Sequence, residues 1–580
     1  MFNKLGSKKL SKKWVLLPLC LASILAAGSA AAEKVGDFAL LDQDGYFHHM
    51  AWYDDHEAMA FLVQRNGSDQ TRSALGQFAA LQQQYSEQGV EFMMLNPLGE
   101  ERSTVKSAHN GYGVEMPILI DDGQIVAEAF GIKASGETFL YDPSTFEVLY
   151  RGTIDGLEAA LSQLVAGEEI QEPMVSVTGA DIEYAAASKH RDLSYSKDIA
   201  PILAENCASC HRAGGIAPFA MDSHAMVQGW SPMIREVLMT KRMPPAQIDP
   251  HVGEFENDYV LEVEDQQKVI HWIAEGAKKD GDTDPLANLE WPDTKWAFGE
   301  PDLIVKVPPQ NIPATGVLDY ITLAVPIELE EDRWVKATQY VAGDRTVLHH
   351  TLNALAGPGE RPRNFLGGGD PNAARITPYI PGAEPLVEPE NTGGLLKAGS
   401  TLGLQLHYTT TGRETTDASE IGIWFYPKGE EPQERMSGRC ACIFPREWTN
   451  IPPYAKDFEQ TQSVTLDADA YIYGFTPHMH FRGKRMRFAA HYPDGKVEEL
   501  INIANYNYNW QMEYRMKEPK LLPAGTEIVA TGAFDNSTQN KSNPDPAREV
   551  PWGDQSWDEM FFGQVYWKYA DQSRYATDEI

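Results

Sequence analysis

Basic residues are the scarce charged class: 49 Lys and Arg stand against 83 Asp and Glu, a net charge of −34 at pH 7. Such a chain repels nucleic acid and anionic membrane surfaces, so neither is an expected partner. Cysteine is scarcer still, with five in 580 residues, too few for a disulfide framework. Long hydrophobic runs are missing after residue 28, so no transmembrane segment is expected downstream. There is no internal repeat and no low-complexity tract. The one apolar run, Trp14 to about Gly28, follows five lysines and precedes Ala30-Ala31-Ala32. That pattern predicts a secretory signal peptide over 1–32, and hence a soluble, periplasmic protein. Cys20, preceded by Leu19, is a poor lipoprotein site. Removal of the leader takes away five positive charges and no negative ones, moving the net charge from −34 to −39.

The length implies several domains, and the texture changes along the chain. In 33–170, MAFLVQ (59–64) and VEFMML (90–95) read as buried strands. Leu75, Phe78, Leu81 and Tyr85 recur between them at helical spacing. FLYD (139–142) and VLYRG (148–152) predict a hairpin, and LEAALSQLV (157–165) a closing helix. The order resembles a thioredoxin-like, peroxiredoxin-type α/β domain. That family carries its reactive cysteine in the loop after the first core strand, which here reads QRNGSDQTRS (64–73) with no cysteine. Gly136 stands at the family's cis-proline position. Thiol chemistry needs a thiolate, so this domain is expected to serve as a docking or structural module. Polar stretches at about 168–192 and 280–300 read as linkers.

Between them, 188–280 contains CASCH (207–211). C-x-x-C-H is the pattern of covalent c-type haem attachment, with Cys207 and Cys210 as thioethers and His211 as proximal iron ligand. A thioredoxin-type redox pair or half a zinc site would use the same cysteines. The adjacent histidine and exported setting oppose both, and no second CxxC completes a zinc site. SYSKDIAPILAENC supplies a helix into the motif, and DQQKVIHWIAEGAK (265–278) an amphipathic helix, as in a small all-α cytochrome c domain. Met243, in the proline-flanked KRMPPAQ, is a candidate sixth ligand, with Met233, Met239 and His224 as alternatives.

Beyond Pro301, short alternating strands with Pro/Gly/Asp turns predict an all-β, sandwich-like region. Five of its six histidines cluster: His349-His350, His407, and the pair His478/His480. In LGLQLHY, His407 lies on the face opposite Leu402, Leu404, Leu406 and Tyr408. His349 and His350 diverge in an ideal strand, so sharing a metal would need a bulge. His478 and His480 share one face if their stretch is a strand. Three histidines suit copper or zinc; two need a further ligand, and a thioether would favour Cu(I). Met560, in WDEMFFGQVYW, is available, although methionine is more often core filler. His491 reads as an exposed turn residue. Cys440 and Cys442 are too close for an unstrained disulfide; they read as structural thiols, a strained bridge or a transient copper-handling pair.

The ordered set HH, LQLHY, HMHFRGK and DEM resembles the copper type II ascorbate-dependent monooxygenases, such as peptidylglycine α-hydroxylating and dopamine β-monooxygenases. The match spans about 300–575. It implies two consecutive β-sandwich (jelly-roll-like) copper subdomains, 297–430 and 431–580. His349, His350 and His407 would hold an electron-transfer copper. His478, His480 and Met560 would hold the oxygen-activating copper and form the catalytic site. The implied reaction is hydroxylation of a C–H bond of a small-molecule or peptide substrate with O2. Electrons would come from an ascorbate-like reductant or a periplasmic redox protein, relayed through the fused haem. The disulfides of the animal enzymes and their substrate-anchoring residues have no counterpart here, so their substrates do not carry over. A copper-binding or redox-sensing interaction protein without oxygenase activity is the alternative on the same scaffold.

Overall fold

In the computed structural model, residues 33–178, 181–291, 295–363, 372–382 and 384–575 are described. The expected leader, 1–32 with Cys20, lies outside them. The N-terminal unit is a thioredoxin-like α/β domain around an eight-stranded mixed sheet. The apolar run near 59–64 forms the strand Ala58–Val63, buried at every position and parallel to Val90–Asn96. Ser68 starts the intervening helix Asp69–Tyr85 by accepting the Thr71 N–H, and Leu75, Phe78, Leu81 and Tyr85 face the sheet. Thr138–Asp142 and Glu147–Gly152 form the antiparallel hairpin, followed by the helix Ile154–Val165.

Helices Asp69–Tyr85 and Ile154–Val165 cover one face of that sheet. The other face, with Phe38, Phe61, Phe139 and Tyr141, belongs to a single core that continues into the next segment through Ile199, Leu203, Leu238 and Ile270. This segment is helical: Ala200–Asn206, His224–Met239 and Val263–Ala274. The helix Val263–Ala274 lies on Ile125–Phe130 of the first domain. Gln267 donates to the Gly123 carbonyl at 2.8 Å, and His271 Nε2 meets Glu128 at 2.8 Å.

Described residues of both expected linkers are built into the fold. In the first, Ile182 is buried and the Tyr184 hydroxyl donates to the Ile132 carbonyl. In the second, Asp280 accepts from Ser194 and Ser196, and Asp284 accepts from the Tyr195 hydroxyl and the His224 N–H. The helical unit therefore extends past 280, because its own polar ends need these carboxylates.

The remainder is all-β. In its first half, a sheet of Ile321–Pro326, Thr401–Tyr408 and Leu348–Ala356 packs on a larger sheet containing Arg333–Val341 and Glu420–Phe425. In its second half, two four-stranded sheets sandwich one core. One orders Ser437–Ile443, Phe561–Tyr569, Ala470–His478 and Tyr514–Leu522; the other orders Phe458–Thr465, Glu527–Phe534, Gly483–His491 and Val497–Ile503.

Two polar attachments bind the front of the chain to this second sandwich. The turn Asp44–Tyr46 inserts against it: Arg487 donates to the Asp44 carbonyl, and Arg485 and Arg487 both lie over the Tyr46 ring. Gly45 has φ +75°, and a Cβ there would collide with Arg102, Asp249 and Asn502, so only glycine fits. The segment 247–257 runs along the sandwich edge through Asp249 N–H to Asn502 O, Glu256 N–H to Arg515 O, and Lys517 N–H to Glu254 O.

Among the described residues no helix is long and apolar enough to cross a membrane. Because one core serves two segments, Ile270→Ala is expected to cost about 2–5 kcal/mol. It should accelerate amide exchange in the strands Ala58–Val63 and Thr138–Asp142 together with the helix Val263–Ala274; acceleration confined to the helix would contradict a shared core.

Candidate metal centres

The strand Leu348–Ala356 pairs with Thr401–Tyr408, and its register shifts between Leu348 and His350. That irregularity frees His349 from strict alternation, so both adjacent imidazoles turn toward His407. Their ligand atoms lie within 4.8 Å of one another. His349 Nδ1 is 2.9 Å from His350 Nδ1, which is 3.3 Å from His407 Nδ1. His349 Nε2–H donates outward to Asn509 Oδ1 at 3.1 Å, leaving its Nδ1 lone pair for the cluster. Burial lowers the pKa of all three imidazoles, His350 well below the usual range and His407 to about 3. Like-charge repulsion within the cluster adds to this for His350 and His407. Neutral, converging nitrogens without a carboxylate among them fit a copper or zinc ion.

The second set differs in one detail from the sequence expectation. The strand Ala470–His478 ends at His478, so His480 sits in the following turn. The two rings are nevertheless 5.2 Å apart. Each is fixed through Nδ1: His478 donates to Gln511 Oε1 at 2.5 Å, and His480 to the Asp558 carbonyl at 3.3 Å. Both Nε2 atoms are thereby left as acceptors. Burial lowers both pKa values. Met560 is 3% exposed and directly precedes the strand Phe561–Tyr569, in which Phe562 is paired with His478. The buried Glu559 carboxylate joins the pieces by accepting the N–H groups of His480, Arg482 and Met560. Burial raises its pKa to about 8.

The residues that the sequence reading missed lie mainly in the loop 505–511, NYNYNWQ. Tyr508 stacks on His349 at 5.0 Å and lies 6.0 Å from His480, so one ring touches both histidine sets. Its hydroxyl is bonded to Ser556 at 2.6 Å. Tyr320 packs edge-on against His407 at 4.6 Å. Asn509 and Gln511 complete the loop's contacts. The only sequence cue was an unusual density of aromatic and amide side chains.

In the helical segment, Cys207 caps Ala200–Asn206, and neither Cys207 nor Cys210 is in a disulfide. Burial pushes the Cys207 thiol up to about 12, opposite to what a thiol–disulfide redox pair needs. His211 Nδ1–H donates to the Phe219 carbonyl at 3.1 Å, leaving Nε2 free. His211, Phe219 and Trp230 pack in series, each pair at 4.6 Å. Met226, Trp230 and Met233 form an exposed apolar stripe on one helix face, and Met243 is 38% exposed. Free thiols, an oriented imidazole and an uncovered apolar stripe fit a covalently held macrocycle. Met239 is buried in the core, and His224 Nε2 bonds the Ala277 carbonyl.

At the position of the redoxin thiol, Ser68 bonds Ser135, and Asp181 accepts from Ser135 and Arg65. Gly136, at φ +79°, packs against Gln70. Cys440 and Cys442 are joined to each other. His491 is exposed, next to the turn after its strand.

The AhpC/TSA family matches residues 31–156, which identifies the N-terminal unit as a redoxin-type domain. No curated protein matches the chain. Similar solved structures include a hypothetical protein from Sinorhizobium meliloti, 24% identical over 27% of this chain and 94% of that one, with a TM-score of 0.25. A peroxidoxin from Mycobacterium tuberculosis is 19% identical over 23% and 96%, with a TM-score of 0.21. A thioredoxin-family thiol:disulfide interchange protein from Chlorobium tepidum is 16% identical over 23% and 98%, with a TM-score of 0.21.

Gln511→Ala removes the acceptor that orients His478, so any ion held by that imidazole is expected to bind about 10–100-fold more weakly. Copper titration should show the three-histidine set unchanged; equal weakening of both would contradict separate orientation. Unfolded histidine titrates near 6.5 and these imidazoles titrate lower, so below pH 6.5 the unfolded chain binds the extra protons. Metal-free protein should lose melting temperature progressively as pH falls from 6.5, and His407→Asn should flatten that slope. Identical slopes would contradict the depressed values.

Proposed function

We propose that this chain is an exported dicopper monooxygenase that hydroxylates a C–H bond of an organic substrate and carries its own c-type haem. The observation that supports this best is the pairing of two histidine sets across one tyrosine, the converging His349, His350 and His407 on one side and the oriented His478 and His480 on the other. His349, His350 and His407 would hold one copper; His478, His480 and Met560 would hold the second. The ions, when bound, supply one-electron chemistry and oxygen activation. The overall change is R–H + O2 + two electrons + two protons to R–OH + H2O.

The chain's own groups prepare that chemistry. Depressed imidazole pKa values keep the donors neutral, so a metal displaces few protons on entry. Asn509, Gln511 and the Asp558 carbonyl fix ring orientation. Glu559 ties the main chain of His480 to that of Met560, so the thioether and imidazole move together. Tyr508 stands between the sets, in ring contact with His349 on one side and His480 on the other.

Cys207, Cys210 and His211 would hold the haem, with Met243 as a candidate sixth ligand. The haem segment is tied to both halves of the β region: Arg345 donates to the Gly214 carbonyl, and Gln247 to the Asn507 and Trp510 carbonyls. A donor fixed in this way acts at high effective concentration. The redoxin domain, without thiols in 64–73, would serve as the platform for that segment.

The test is labelled oxygen. Copper-loaded protein given reductant and candidate substrates under 18O2 should place one labelled atom in the product. Met560→Ala should abolish incorporation while the three-histidine copper remains. Reductant-driven O2 loss without labelled product across the substrate panel, or an unaffected Met560→Ala variant, would overturn the reading.

A further inference from the structure

The strand Ser437–Ile443 is the outer strand of the sheet that carries the second histidine set, and its strand partner is Phe561–Tyr569. Cys442 lies opposite Phe562, and Phe562 lies opposite His478. Alternation puts Cys440, Cys442, Phe562 and His478 on one face, while Ala441, Phe561 and Phe475 fill the sandwich core. On that outer face Cys442, Met560 and Phe562 form a packed cluster, with Cys440 at its margin. Cys440 is partly accessible and its neighbours Gly438 and Arg439 are exposed, so a reductant reaches the pair from solvent. The cluster holds three sulfur atoms and no carboxylate.

We propose that Cys440 and Cys442 are a reducible sulfur site that, as a dithiol, binds one Cu(I) ion together with Met560. The proposal rests on the copper reading of the adjacent His478, His480 and Met560. An external dithiol supplies two electrons and two protons: its own sulfurs become a disulfide as the Cys440–Cys442 bond breaks and two thiols form. Cu(I) then displaces the thiol protons and bonds the two sulfurs, with the Met560 thioether as third donor. Thiolate and thioether donors select this soft ion over harder divalent ones. Met560 belongs to both sets, so an ion held by the cysteines lies beside the imidazoles that would receive it. The redoxin domain cannot be the reductant, because its loop 64–73 carries no thiol.

The experiment compares full-length protein before and after dithiol treatment, desalted without oxygen and titrated with Cu(I) against a chromophoric Cu(I) chelator. Reduced protein is expected to bind one more Cu(I) than oxidised protein, with His478 and His480 alone keeping the neighbouring ion while Met560 serves the cysteines. Reduced Cys440→Ser/Cys442→Ser protein is expected to lack that extra ion, with Cys207 and Cys210 contributing equally to both reduced samples. Alkylation mass spectrometry should find residues 440 and 442 modified only after reduction. Equal stoichiometry in the reduced wild type and the double variant, or no alkylation after dithiol treatment, would overturn the proposal. A His478→Ala/His480→Ala variant separates the two readings: retention of the extra ion there supports the sulfur site even if the histidines bind no copper, and its loss overturns an independent sulfur site.

Discussion

The side chain of Gln247 holds the loop on which the candidate centres depend. It is buried, donates one proton to the Asn507 carbonyl and the other to the Trp510 carbonyl, and its own main-chain carbonyl accepts the Asn505 N–H. A loop without regular pairing would otherwise leave those carbonyls unsatisfied next to a core, at about 1–3 kcal/mol each. Pinned in this way, the loop presents Tyr508, Asn509 and Gln511 in fixed positions. One amide from the helical segment therefore sets the orientation of His349 and His478, which belong to different sandwiches.

The redoxin domain, with no cysteine in 64–73, likewise acts here through its contacts. Its sheet has one face covered by its own helices and the other completed largely by the helical segment. Its Asp44–Tyr46 turn is held by Arg485, Arg487 and Asn502 of the second sandwich. It thus supports the CASCH segment from one side while the strap 247–257 ties that segment to the loop 505–511. At the start of the helix Asp69–Tyr85, Arg65, Ser68, Ser135 and Asp181 form a polar network, the last contributed by the expected linker.

Much of this was legible in the sequence where periodicity is strong. The buried strands near 59–64 and 90–95, the helix through Leu75–Tyr85 and the sandwich texture beyond Pro301 all follow from apolar spacing. The histidine groups stood out because five of them fall in three short stretches. Three things were hidden. The bulge at His349 depends on pairing with a strand about 50 residues away. The end of the strand at His478 depends on Glu559, which captures the N–H groups of His480 and Arg482. The loop 505–511 depends on Gln247, some 260 residues earlier. Each is a non-local hydrogen bond that leaves no period in the sequence. The shared core of the first two segments is apolar packing rather than hydrogen bonding, and polar composition at 168–192 masked it by reading as a linker while Ile182 and Tyr184 pack.

The central claim is that one chain carries two distinct copper centres and one haem. The most direct measurement is the copper-to-haem ratio of copper-loaded, oxidised protein, with covalent haem quantified after denaturation. The account predicts two coppers per haem. One copper or none, or no haem surviving denaturation, would contradict it.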